Sequence, residues 1–213
     1  MHVITIASQK GGVSKSTLCQ CLAVEALKEG RRAAIIDMDP QRSVARWGAR
    51  RAAAGIAVPA VFAAAEKPVK EVVRDLEKQG AAMVIIDTPP LVTPQLNAAL
   101  EIADSVILVS RPNPMDLDAL LETWAITQRL KKSACAIVTQ APPAAQRARA
   151  LKLSLGRLEK MGIPTCPSVL SYTLSYPYAQ AEALTVQERE PSGKARAELA
   201  EVWAWLKRSN FIV

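Results

Sequence analysis

The stretch SQKGGVSKST, residues 8–17, decides how the rest of this sequence is interpreted. It follows a continuous apolar run, HVITIA (2–7), and it precedes a helical pattern that begins near residue 16. A strand, a loop of small residues and a helix start present successive backbone N–H groups to an anion at the positive end of the helix dipole. The stretch therefore predicts a phosphate-binding loop, in which Lys15 reaches the β- and γ-phosphates and the Ser16 hydroxyl is a Mg²⁺ ligand. The alternative is a glycine-rich turn that merely starts a helix.

Strand-like and helical patterns alternate along the whole chain outside this loop. Strand-like runs lie at 2–7, 33–37, 83–87, 104–109, 134–139 and, more weakly, 58–62, and helical patterns lie at 16–29, 43–54, 68–79, 95–102, 115–131, 145–161 and 194–208. Continuous apolar strands are typical of a parallel sheet that is covered on both faces. With 213 residues and no repeat or linker, the chain is predicted to form one α/β domain over residues 1–213. We expect a doubly wound, mostly parallel sheet flanked by helices.

Carboxylates follow two more of the predicted strands. Asp37 and Asp39 lie in IIDMDPQ (35–41), and Asp87 lies in MVIIDTPP (83–90). Ligands of such folds bind at the carboxyl ends of the strands, so these residues are expected beside the loop. There, one carboxylate of the pair can hold the water shell of a metal while the other orients an attacking water, and Asp87 can serve a Mg²⁺-bound phosphate. For Asp37 and Asp39, helix capping or a turn is the alternative.

Composition narrows the classes of function. The only histidine is His2, which excludes histidine-based triads and most zinc sites. Four cysteines without a Cys-x-x-Cys pair predict buried, reduced thiols. No run approaches the ~20 apolar residues of a membrane span, and no secretory signal is visible, so a cytoplasmic protein is expected. The net charge of +7 and the pI of about 9.4 favour a polyanionic partner, either nucleic acid or an acidic membrane.

Taken together, these motifs resemble the ParA/MinD branch of P-loop ATPases, which has a deviant Walker A loop with a second lysine near its start. Lys10 fills that position and Lys15 the usual one. The stretches DMDPQ (37–41) and DTPP (87–90) resemble the two switch segments of the branch. Softer similarities are RPNPMDL (111–117) and EPSGKA (190–195). The resemblance extends from residue 1 to about residue 205.

The resemblance implies ATP or ADP and Mg²⁺ as cofactors, and it implies roles for individual residues. Lys15 binds the terminal phosphates, and Lys10 reaches the partner's phosphates across a nucleotide-sandwich dimer. Asp39 positions the attacking water, so that the catalytic residues are Lys10, Lys15 and Asp39. Ser16, Asp37 and Asp87 serve the metal, Ser16 as a ligand and the two aspartates through its surroundings. The expected nucleotide contacts are Gly11, Gly12, Val13, Ser14, Lys15, Ser16, Thr17 and, for the base, Gln140.

Ser14 departs from the usual pattern, because such loops nearly always carry glycine directly before the lysine that Lys15 represents here. If its φ is positive, the β-carbon costs about 1–2 kcal/mol and crowds a phosphate. If Ser14 is helical, its hydroxyl can be tolerated or can contact a phosphate. In either case we expect a real ATP site, with weakened binding or slow turnover if the φ is positive.

The resemblance also implies a function. It is that of an ATPase that dimerises on ATP, binds DNA non-specifically in that state, and segregates a plasmid, a chromosome region or a protein cargo, with a small adaptor protein stimulating hydrolysis. Larger relatives carry an N-terminal DNA-reading extension, whereas this chain begins at its first strand, so sequence-specific binding is not expected. Candidate DNA contacts lie on the predicted helix 145–161 and are Arg149, Lys152, Arg157 and Lys160. A solvated helix face is the alternative. When bound to ATP the protein is expected at the nucleoid.

Three rival functions remain open. A MinD-like membrane-associated ATPase would use the C-terminal helix, whose apolar stripe consists of Leu199, Val202, Trp203 and Leu206. Packing of that stripe on the sheet explains it more economically, although Trp205 and Phe211 keep a membrane contact open. A metabolic enzyme of the same wider fold has no use for Lys10. A nucleotide-gated binding module that hardly hydrolyses ATP is consistent with Ser14.

Overall fold

Six parallel strands form one sheet at the centre of the computed structural model, which describes residues 1–63, 67–142 and 144–213 and, for 144–150, the helical backbone alone. The strands are β1 (His2–Ala7), β2 (Ala33–Asp37), β3 (Ala60–Ala63), β4 (Met83–Asp87), β5 (Ser105–Ser110) and β6 (Ser133–Val138). Their order across the sheet is β3-β2-β4-β1-β5-β6. The predicted α/β class is confirmed, and every pairing between these strands is parallel.

Helices cover both faces of the sheet. In chain order they are α1 (Lys15–Lys28), α2 (Ser43–Ala53), α3 (Val69–Lys78), α4 (Pro94–Ile102), α5 (Pro114–Arg129), α6 (Ala144–Lys160), α7 (Ser175–Ala181), α8 (Val186–Arg189) and α9 (Lys194–Arg208). The core that contains α1, α2, α7, α8 and α9 lies on one face. The cores that contain α3, α4, α5 and α6 lie on the other.

Side-chain alternation along the strands explains this division. In β1, Ile4 and Ile6 belong to the core beside α1, whereas Val3 and Ala7 belong to cores on the opposite face. The side chains on both faces of the sheet are buried, so the sequences of the central strands are continuous apolar runs. The apolar stripe of α9 is buried in the core beside α1, as the sequence predicts.

The register of the strands brings the predicted site residues to one edge. Ile6 of β1 lies opposite Asp87 of β4, and Asp37 of β2 lies opposite the same Asp87. The loop 8–14 leaves β1 at this edge and leads into α1. Consequently, three chain segments far apart in sequence end next to one another.

Two short helices were not predicted. Residues 175–181 contain Pro177 and residues 186–189 form a single turn, so neither segment shows an apolar period long enough to indicate a helix. The four cysteines are free and buried, as predicted.

Candidate nucleotide-binding site

The loop between β1 and α1 has the backbone of an anion cradle. Gly12 and Ser14 both have a φ of 69°, in the left-handed region, and α1 begins at Lys15. Glycine adopts this conformation freely, whereas a residue with a β-carbon is strained in it. The positive φ that would make Ser14 costly is therefore present.

Lys15 is drawn into the loop. Its Nζ donates to the main-chain oxygen of Lys10 at 3.1 Å, and the residue is buried. Burial lowers the pKa of the Lys15 ammonium, while the nearby charges of Asp87 and Asp39 act in the opposite direction. An ammonium with one main-chain acceptor retains two N–H donors for an anion in the loop.

Ser16 and Asp87 form the most closely joined pair of the site. The Ser16 hydroxyl donates to Asp87 Oδ2 at 2.6 Å, whereas the buried Asp87 Oδ1 accepts no hydrogen bond. Burial raises the pKa of the Asp87 carboxyl to about 7 in spite of the bond from Ser16. A buried carboxylate oxygen without a partner, next to a hydroxyl, fits a Mg²⁺ ion that keeps several of its waters. No group of three or more His, Cys, Asp or Glu side chains suited to an all-protein metal site occurs in the described part of the chain.

Asp37 and Asp39 differ in what they contact. Both oxygens of Asp37 accept main-chain hydrogen bonds, Oδ1 from Asp39 at 3.0 Å and Oδ2 from Ala45 at 2.9 Å. Asp37 thus holds the turn before α2 and the first turn of that helix, and burial raises the pKa of its carboxyl. Asp39 is half-buried, lines the cavity above the loop, and accepts a bond from the Gln41 N–H at 2.8 Å through Oδ1. Of the two, Asp39 is the carboxylate available to a bound molecule.

Lys10 stands at the start of the loop without a partner for its charge. Its main-chain N–H donates to Ser8 Oγ at 3.3 Å and its carbonyl accepts from Lys15. Among the residues that the structure describes, none forms an ion pair or hydrogen bond with its ammonium group. The long cationic side chain is therefore available to a group outside the chain.

Gln140 contacts the loop itself. Its side-chain amide donates to Ser14 Oγ at 2.9 Å and to the carbonyl of Gly12. The neighbouring Thr139 donates to the Val13 carbonyl at 2.9 Å. The segment after β6 thus braces the loop at three successive residues, and the predicted contact of Gln140 with a base stays a prediction.

A cavity of about 430 Å³ opens above the loop. It is lined by every predicted nucleotide contact from Gly11 to Thr17, by Gln140 and by Asp39. An adjoining, more apolar cavity of about 150 Å³ extends from Ser14 and Thr17 towards Tyr176 and Pro177. A polar cavity over the loop with an apolar extension is the shape that suits phosphates joined to a flat ring.

Several residues that line the larger cavity were not indicated by the sequence, among them Arg50 and Gln180. Gln180 of α7 donates to Thr17 Oγ1 at 2.9 Å and to Gln20 Oε1 at 3.0 Å, and its main-chain oxygen accepts from the guanidinium of Arg50 at 3.2 Å. Contacts across more than 100 residues leave no local pattern. Only the spacing of the arginines on α2 is visible in the sequence.

The predicted DNA contacts lie on α6, on the face of the sheet opposite α1. Lys152 and Lys160 are exposed, and Arg157 is paired with Asp118 at 2.5 Å. The side chain of Arg149 lies outside the described residues. The side chains of Lys152, Arg157 and Lys160 do not line the nucleotide cavity.

The arrangement can bind a polyphosphate and act on it. Main-chain N–H groups and Lys15 can donate to phosphate oxygens, Ser16 and Asp87 suit a hydrated divalent cation, and Asp39 offers a carboxylate that can orient a water.

Among the described residues no helix is both long and apolar enough to cross a membrane.

Residues 4–163 match the family described as the CobQ/CobB/MinD/ParA nucleotide binding domain. The chain is 36% identical over 124 residues to the maintenance of carboxysome distribution protein A of Gloeobacter kilaueensis, an alignment that covers 57% of this chain and 55% of that protein. The chain spans about half the length of the curated relatives it matches.

Solved structures show the same fold. The MinC:MinD cell division protein complex of Aquifex aeolicus superposes with a TM-score of 0.79 at 16% identity, covering 97% of this chain and 96% of that chain. The septum site-determining protein MinD of Pyrococcus horikoshii, complexed with Mg-ADP, has a TM-score of 0.74 at 18% identity, covering 95% and 94%. At these identities the likeness concerns the fold.

Proposed function

This chain belongs to the CobQ/CobB/MinD/ParA nucleotide-binding domain family, and on that premise we propose that it is a ParA-type ATPase that dimerises on ATP, binds DNA non-specifically in that state, and partitions or positions a cargo. The observation that carries the proposal is the pair of lysines on one loop. Lys15 is buried and turned into the loop, whereas Lys10 has no partner for its ammonium among the described residues. A monomeric phosphate site uses one such lysine. A second cation without a partner suits phosphates held by another copy of the chain.

The residues of the loop fit ATP with Mg²⁺. Lys15 and the N–H groups of residues 11–17 would hold the phosphates, and Ser16 would hold the cation with the free oxygen of Asp87 facing its water shell. When bound, Mg²⁺ neutralises charge that develops on the phosphate oxygens. The apolar cavity beside Tyr176 would receive the base. In support, the Pyrococcus horikoshii relative was solved with Mg-ADP.

Hydrolysis would depend on Asp39. Its carboxylate lines the cavity and is half-exposed, so it can accept a hydrogen bond from a water opposite the terminal phosphate. Ser14 holds a strained conformation in the same loop. Slow turnover, raised by a partner protein, is therefore the expected behaviour.

The partner and the cargo follow from chemistry and from relatives. A net charge of +7 suits nucleic acid. The proposed location is the cytoplasm, with association with the nucleoid in the ATP-bound state. The name of the Gloeobacter relative concerns the distribution of carboxysomes, so a protein cargo with an adaptor that stimulates hydrolysis is as compatible with this chain as a plasmid or chromosome region. Lys152, Arg157 and Lys160 of α6, with Arg149, remain proposed DNA contacts.

A membrane-associated, MinD-like function is the weaker candidate. The apolar stripe of α9 is buried, and Trp205 stacks on Phe211 with ring centroids 5.5 Å apart. Phe211 is only 7% exposed. The apolar stripe of the C-terminal helix and Phe211 are thus packed against the protein itself.

Gel shifts with random-sequence duplex DNA, in parallel with sedimentation on anionic liposomes, test this function. We expect DNA binding at low salt with ATP, little with ADP, and a steep loss between low and physiological salt. ATP-dependent sedimentation with liposomes and no DNA binding would replace the partition function by the membrane one.

A further inference from the structure

Three arginines form a stripe on the outer side of α2. Arg42, Arg46 and Arg50 are spaced four residues apart and are all exposed. Arg46 and Arg50 lie one turn apart on α2, and Arg42 is the residue just before the helix, with a φ of 52°. Eight residues at 1.5 Å each make the stripe about 12 Å long. One strand of duplex DNA carries a phosphate about every 3.4 Å of helix axis, so the stripe spans about three or four phosphates.

The charge of this arginine stripe is not compensated. α2 contains no acidic residue, and no ion pair among the described residues involves Arg42, Arg46 or Arg50. The remaining arginine of α2, Arg51, is buried and paired with Glu188 at 2.8 Å.

Helix α3 provides a comparison for the exposed charges of α2. It has three exposed cations at the same spacing, Lys70, Arg74 and Lys78, but also the exposed acids Glu71, Asp75 and Glu77. The positive charges of the stripe on α2 therefore have no acidic residues on the same helix, whereas the cations and acids of α3 are equal in number.

The arginine stripe is joined directly to the nucleotide site. α2 starts six residues after Asp37, whose Oδ2 accepts the Ala45 N–H at 2.9 Å in the first turn of the helix. At the other end of the stripe, Arg50 lines the nucleotide cavity. A change in the segment Asp37–Gln41 on nucleotide binding therefore acts on the helix that carries the stripe.

The surroundings of the stripe favour nucleic acid over a lipid surface. Val44 and Trp47, the large apolar residues of α2, are buried, and the exposed residues of the helix are Ser, Ala and Arg. A helix that lies in a membrane interface needs exposed large apolar side chains beside its cations. α2 itself exposes none, and the exposed Leu91 shares a cavity with Arg42 alone of the three arginines. A phosphate backbone requires only the cations.

We propose that Arg42, Arg46 and Arg50 form a duplex-DNA surface, on the face of the sheet opposite α6. The proposal rests on the proposed function, because it names a second surface, besides α6, through which the ATP-bound dimer holds DNA. Each subunit contributes one stripe, so one substitution removes two phosphate contacts per dimer.

The test is Arg46→Glu, with Arg74→Glu on α3 as the matched control. Arg46 lies in the middle of the stripe and does not line the nucleotide cavity. Fluorescence anisotropy with a labelled random-sequence duplex, in ATP and ~0.1 M salt, measures affinity. At this salt concentration one phosphate contact raises the affinity about eightfold. Because the dimer loses two contacts, Arg46→Glu should weaken DNA binding about 60-fold and reduce the slope of log affinity against log salt by about 1.8. Arg74→Glu should bind like the wild type, and Arg46→Lys should recover most of the affinity.

Light scattering with ATP separates this inference from the proposed function. If the wild type dimerises and binds DNA, and Arg46→Glu binds DNA as tightly as Arg74→Glu does, only the DNA-binding role of the stripe is overturned. Wild type that dimerises without binding DNA overturns both. If Arg46→Glu does not dimerise, Arg46→Gln, which removes the charge without reversing it, provides the comparison. If Arg46→Glu loses binding to anionic liposomes but keeps its affinity for DNA, the stripe is a membrane contact and the proposal is contradicted.

Discussion

Replacing Ser14 by glycine and, separately, by alanine would show what this residue does in the loop. The structure gives two opposing effects. A non-glycine residue at a φ of 69° costs about 1–2 kcal/mol. The hydrogen bond from Gln140 to Ser14 Oγ, 2.9 Å long, contributes about 0.5–1.5 kcal/mol.

These magnitudes predict different stabilities for the two variants. Ser14→Ala keeps the strained β-carbon and loses the hydrogen bond, so its free energy of unfolding should fall by about 1 kcal/mol. Ser14→Gly also loses the bond and gains about 0.4–1 kcal/mol of unfolded-chain entropy, but it is relieved of the strain. Its stability should therefore be within about 1 kcal/mol of the wild type and above that of Ser14→Ala.

The same pair of variants tests the site. Glycine at position 14 removes the β-carbon and the tether to Gln140, so phosphates can approach the main chain; a gain of about 1.4 kcal/mol is a tenfold rise in affinity. Urea unfolding measures the stabilities, and calorimetry with a non-hydrolysable ATP analogue and Mg²⁺ measures the affinities. If Ser14→Ala is as stable as Ser14→Gly, or if glycine binds the analogue no more tightly than serine, the strain and crowding assigned to Ser14 are wrong.

Three further substitutions test other parts of the molecule. Lys15→Ala should lower ATP affinity tenfold or more, because a charge-assisted phosphate contact is lost; unchanged binding by calorimetry would exclude the loop as the site. Asp39→Ala should dimerise with ATP but release phosphate at least a hundredfold more slowly, and normal turnover in a phosphate-release assay would remove Asp39 from the reaction. Glu188→Gln should cost on the order of 3 kcal/mol at pH 7, because it leaves the 2%-exposed Arg51 without its counter-charge. Partial burial raises the pKa of Glu188, but hydrogen bonds from Arg51 and Thr185 lower it more, so the pKa lies below the ordinary value of 4.5. The stabilisation from the ion pair is therefore present above pH 4.5 and is lost as the pH falls through the folded-state pKa. Urea unfolding that shows the same deficit at pH 7 and well below pH 4 would contradict the ion pair.

The parts of the site that follow from strand ends could be predicted from the sequence. Lys15, Ser16 and Asp87 meet because β1 and β4 are parallel neighbours, and parallel strands deliver their carboxyl ends to one edge. An apolar run followed by a carboxylate is a local pattern, so it is visible in the sequence.

Other parts depend on contacts that no local pattern encodes. Gln180 reaches Thr17 from a seven-residue helix without a visible period. Gln140 turns its amide towards Ser14 from a backbone with a φ of 50°, and the choice between the loop and a base depends on that conformation. The two oxygens of Asp37 are taken by main-chain N–H groups, which shows why two aspartates two residues apart can have different roles.

The proposed role of Lys10 is to act on a nucleotide bound by a second copy of the chain. Size-exclusion chromatography with light scattering, on the wild type and on Lys10→Ala with ATP and Mg²⁺, tests it most directly, with Lys10→Arg as the variant that keeps the charge. We predict that the wild type shifts from 22.9 kDa to twice that mass on adding ATP, whereas Lys10→Ala stays at the monomer mass while still binding ATP by calorimetry. A Lys10→Ala protein that dimerises with ATP as the wild type does, or a wild type that binds ATP and stays monomeric, would contradict the account.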